Sequence, residues 1–65
     1  MLKEFSKIKL ITDRHANTGA LRGMIGCIIE VWGDGNYEAE FFNQTTGIDY
    51  AQIVVSEEDV ELVDD

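Results

Sequence analysis

Apolar and polar residues alternate along much of this chain with a period of two. Ile8 and Leu10 alternate with Lys7 and Lys9, which predicts a half-buried strand. Residues 13–23, DRHANTGALRG, are polar, carry two glycines and read as a long loop. Met24 to Trp32 is apolar and rich in β-branched side chains, too short and too β-prone for a helix. Gly33-Asp34-Gly35-Asn36 then reads as a tight turn, with glycines to supply positive φ. Tyr37, Ala39 and Phe41 alternate with Glu38 and Glu40 in the clearest strand of the chain. Asn43 to Gly47 is the next predicted turn, and Ile48 to Val55 the next strand. Ser56-Glu57-Glu58-Asp59 pairs a capping residue with an acid three positions on, which predicts one helical turn. Val60 to Val63 gives a short last strand.

Five closely spaced strands predict an all-β fold. The expected architecture is a small five-stranded barrel with one short helical turn before the last strand. Closure would remove the exposed edges of an open sheet. The second strand constrains the register. If Ile29 and Val31 face inward with Tyr37, Ala39 and Phe41, the hairpin needs a three-residue loop or a bulge near Gly26. A bend in this strand would let Ile28 and Ile29 both reach apolar surroundings. In that register Glu30, Glu38 and Glu40 share the outer face, and like charges on adjacent strands cost stability.

Length fixes the scale. Sixty-five residues make a single domain, 1–65 with a core over 8–63, and leave little room for a deep cleft. The one cysteine, Cys27, excludes an internal disulfide. The segment MLKEFSKIKL has no continuous apolar run, so neither a signal peptide nor a membrane span is expected and the predicted location is cytoplasmic. Asn43-Gln44-Thr45 matches a glycosylation sequon by chance on that reading.

Charge sharpens the picture. No lysine or arginine follows Arg22, and the net charge is −8. Lys3, Lys7, Lys9, Arg14 and Arg22 all precede the acidic remainder of the chain. Some face must therefore project a negative potential, which favours cationic partners and repels nucleic acid.

Gly23 to Val31, the Gly33-Asp34-Gly35 turn, Tyr37-Glu38-Ala39-Glu40-Phe41 and Val60 together resemble a small SH3-like barrel. The pattern is similar to KOW-like and Tudor-like barrels, and more closely to a family of uncharacterised bacterial domains of 60–70 residues. Some small acidic proteins of that kind resemble immunity proteins encoded beside toxins. Ala39 stands where the pattern usually carries valine. The resemblance covers residues 8–63, but the matching positions are turn glycines and core side chains, so it speaks for fold more than for function.

Catalysis and metal binding find little support in the residues. His15 lies in the polar loop near Asp13 and reads as solvated. Cys27 reads as a buried, inert thiol without a basic neighbour in sequence. Asp34, Asn36 and Glu38 open with the spacing of a calcium loop, but Ala39 replaces the needed glycine and strands flank the segment. No catalytic, cofactor-binding or metal-binding residue is expected, and no enzyme. Phosphate contact needs clustered cations, which the charge balance disfavours.

Protein binding is the remaining expectation. Trp32, Phe42 and Tyr50 lie at or near strand ends, with Tyr50 the best placed to complete the core. Trp32 and Phe42 would be anchors, and Glu30, Asp34, Glu38, Glu40 and Asp49 an acidic rim suited to a basic protein. The leading expectation is an immunity or antitoxin-type inhibitor of a basic toxin such as a nuclease. The alternative is an accessory barrel that binds a component of an enzyme or transcription complex.

Overall fold

The computed structural model describes residues 2–42, 46 and 49–63, with only the backbone at 49 and 50. Five strands follow one another: β1 (Lys7–Leu10), β2 (Ile25–Gly33), β3 (Asn36–Phe42), β4 (Asp49–Ser56) and β5 (Val60–Leu62). They form one antiparallel sheet in the order β4-β3-β2-β1-β5. The all-β fold is as the alternation predicts, including the turn before β5. That turn is a single 3-10 turn, Glu57–Asp59. A second 3-10 turn, Ala16–Thr18, sits in the long loop. Polar composition gave no sign of it.

The sheet does not close. Among the described residues no pairing joins β4 to β5, so both are edges. The expected turn over 43–47 and the sequon Asn43-Gln44-Thr45 lie outside the described residues, apart from Thr46. The side chain of Tyr50, expected to complete the core, lies outside them too.

The core is built by alternation. Ile8 and Leu10 of β1, Ile28 of β2, Tyr37, Ala39 and Phe41 of β3, Val55 of β4 and Val60 of β5 are buried together with Ala20. Ala20 enters the core because the long loop folds back, with Gly23 N–H donating to Leu10 O at 2.7 Å. Ala39 pairs with Ile28 on one side and Ile53 on the other, and these larger neighbours surround its small side chain.

The register of β2 sets Val31 opposite Tyr37, as expected, and departs from expectation at Ile28 and Ile29. Ile28 faces inward and is fully buried, Ile29 is half-buried, and Val31 is 42% exposed. The hairpin turn holds two residues, Asp34 and Gly35, both with positive φ. That is the geometry of a primed turn, whose twist suits a hairpin. Two irregularities, between Ile28 and Glu30 and between Val31 and Gly33, each add one residue to β2. Neither lies at Gly26. Gly26 has another reason to be glycine: a Cβ there would strike the Glu40 carbonyl and lie 2.7 Å from Phe41 Cδ1. Cys27 is half-buried rather than enclosed, on the opposite side of β2 from Ile28.

Candidate partner-binding face

The β2–β3 register sets the candidate site. Glu30 stands directly opposite Glu38. Glu40 follows two positions along β3, so it shares the face of Glu38 roughly 7 Å away. Cross-strand pairing runs Lys7, Cys27, Glu40, Gln52 over four strands. Among the described residues one base therefore stands in the row of Glu40, and none in the row of Glu30 and Glu38.

Glu38 is held from two sides. Trp32 Nε1 donates to one carboxylate oxygen at 3.1 Å, and Gln52 Nε2 donates to the other at 3.3 Å. The indole N–H is thus satisfied while the ring stays 58% exposed. Asp34 sits exposed at the adjacent turn with φ 55°. A shallow hollow of about 100 Å³ lies there, lined by Val31, Gly33, Asp34, Gly35, Tyr37 and Glu57.

Five of the seven expected site residues gather on this hairpin: Glu30, Trp32, Asp34, Glu38 and Glu40. Phe42 and Asp49 do not. They pair with each other at the far end of β3, about 17 Å from Tyr37 by strand rise. Phe42 is half-buried, and the Asp49 side chain lies outside the described residues. Gln52 belongs to the site but was not expected, because its role follows from the β3–β4 register and not from its own neighbours.

Three of the bases are engaged elsewhere. Lys9 Nζ is 3.7 Å from Glu61, and Arg22 grips Asp13 through two nitrogens at 3.1 and 3.3 Å. That grip lowers the Asp13 carboxyl below its ordinary value and raises the Arg22 guanidinium. Arg14 Nη1 is 3.1 Å from Asp59 Oδ1 and 3.9 Å from Glu58. Among the described residues no base ion-pairs with Glu30 or Asp34, and the polar partners of Glu38 are neutral.

A second acidic cluster behaves differently. Asp59, which the sequence offered only as the acid of a capped turn, is 2% exposed. Its Oδ2 accepts from the Ser56 amide at 3.0 Å, the expected cap, and from His15 Nε2 at 3.0 Å. A carboxylate only accepts, so this bond puts the proton on Nε2. Arg14 contributes charge at close range without a well-aligned bond, since Oδ1 has no hydrogen-bond partner. Burial, the largest single influence, would raise the Asp59 pKa; His15, Ser56 and Arg14 together outweigh it and hold it below 3.8. His15 is therefore a half-buried tether between positions 44 apart, not a solvated loop side chain. Asp13 and His15, neighbours in the loop, take different partners, Arg22 and Asp59. Among the described residues no group of three His, Cys, Asp or Glu could hold a metal ion. No helix among them is long and apolar enough to cross a membrane.

No protein-family model matches this chain, and no curated protein or solved structure matches it.

Proposed function

We propose that this chain is a protein-binding module whose acidic β2–β3 face receives a basic partner. One observation carries the reading. Glu30 and Glu38 face each other across the hairpin with no base in their row among the described residues, beside an exposed tryptophan. A like-charge pair costs the fold stability. A partner's lysine or arginine would recover that cost and add ion pairing, while the indole supplies an area that can be desolvated.

The strand order β4-β3-β2-β1-β5 and the turn before β5 support an SH3-like reading of the sheet. With the resemblance noted in the sequence, that favours an immunity or antitoxin-type inhibitor acting in the cytoplasm. Its target would be a basic toxin, such as a nuclease whose phosphate-binding cations the carboxylates would occupy. The charge distribution speaks against nucleic acid as the partner.

The test compares wild-type chain with the Glu30→Lys/Glu38→Lys variant as bait in extracts of the native host. A basic protein held by the wild type and lost by the folded variant supports the reading. Equal recovery by both baits, or nucleic acid without protein, rejects it.

A further inference from the structure

Two described residues other than glycine have positive φ: Asp34 at 55° and Phe5 at 68°. Aspartate tolerates this region in turns, whereas a bulky aromatic crowds its own backbone there. A fold usually retains such a residue because the side chain packs. Phe5 does not pack; it is 74% exposed.

What the fold takes from this position is backbone. The Ser6 amide donates to Lys3 O at 3.1 Å, which closes a turn with Phe5 in the third place, where positive φ selects glycine. The Phe5 amide donates to Ile28 O at 2.6 Å, and the Ile28 amide donates to Ser6 O at 2.9 Å. Glycine would make each of these bonds without strain. The ring is therefore held out at a cost that the fold does not recover.

Its location gives it a use. Phe5 extends the β1 side of β2, bonded to Ile28 where the irregularity between Ile28 and Glu30 begins, while Glu38 lies on the β3 side. At strand spacing, the Phe5 backbone is about 10 Å from that of Glu38. One short segment of a partner could touch both. We infer that Phe5 is an apolar anchor of the acidic face, and that the segment bound there is a basic polypeptide with an apolar side chain between its cations. This rests on the proposed function above.

The test uses the full chain and two labelled synthetic dodecapeptides of equal charge, one alternating arginine and leucine, the other arginine and serine. Wild type should prefer the leucine peptide by about tenfold, the size of one good anchor. Phe5→Gly should erase that preference, keep affinity for the serine peptide, and raise the melting temperature. A lowered melting temperature would show that the ring serves the fold, and overturns the inference. So does a preference that survives Phe5→Gly, or equal affinity of wild type for both peptides. Sedimentation showing a Phe5-dependent dimer assigns the ring to a second copy and overturns it as well. Glu30→Lys/Glu38→Lys should weaken binding of both peptides. If it does not, the charge reading fails, and the leucine preference still reports on Phe5 by itself. Failure of wild type to bind either peptide rejects both ideas.

Discussion

Asp59 and Glu38 are both acids in a chain with too few bases, and the fold treats them in opposite ways. Asp59 is buried, and its neighbours are a histidine, an arginine and a backbone amide drawn from two separate segments. Among the described residues Glu38 is anchored by neutral donors, and it faces another glutamate. The first arrangement neutralises charge inside the molecule. The second orients a carboxylate and leaves its charge for something outside. Acid content alone therefore does not identify a binding face; the supply of local compensation does.

The sharpest attack on this comparison is Asp59→Ala. It removes the acceptor shared by Ser56 and His15 and strands Arg14, at a cost of about 2–4 kcal/mol, read from the midpoint of urea unfolding. A loss under about 0.5 kcal/mol would mean that the tether does not hold the loop.

Acid should separate the two regions next. Asp59 has a lowered carboxyl pKa in the folded state. Its stabilisation is then complete above the unfolded value near 3.8 and is lost as pH falls through the lower folded value. Unfolding free energies measured across that window should drop more steeply for wild type than for Asp59→Asn. Parallel curves would place the acid sensitivity elsewhere.

Glu30→Lys should act in the other direction. Replacing a like-charge pair with an opposite one should stabilise the folded chain by about 0.2–1 kcal/mol, and the gain should shrink in high salt. Destabilisation would show that Glu30 is compensated after all. The smallest effect belongs to Arg22→Ala. Its pair with Asp13 is exposed, so the thermal midpoint should stay within the scatter of repeat measurements.

Much of this contrast was readable in the chain, and the unreadable part has a common cause. Tyr37, Ala39 and Phe41 announce a strand through their own spacing, and Ser56 announces its cap because Asp59 is three positions away. The five hairpin residues follow from the Gly33-Asp34-Gly35 turn, which brings Glu30 and Glu38 together. The inward choice of Ile28 over Ile29 depends on a bulge that no glycine marks. The burial of Asp59 depends on His15, which is distant in sequence. Phe5 owes its exposure to a backbone angle that an aromatic residue does not suggest. Phe42 and Asp49 looked like members of the face because alternation says which side a residue takes, not which end of the sheet it reaches.

The pairing of β1 with β5 has a consequence for how the molecule assembles. β2, β3 and β4 form a meander between near neighbours, whereas Ile8 and Leu62 meet across 54 positions. Hairpins form in roughly microseconds, and closing so long a loop carries an entropic penalty that only later contacts offset. The meander can therefore take shape while β1 still lacks one neighbour. The acidic hairpin would then exist, with its charges already facing each other, before the chain has joined its two distant strands.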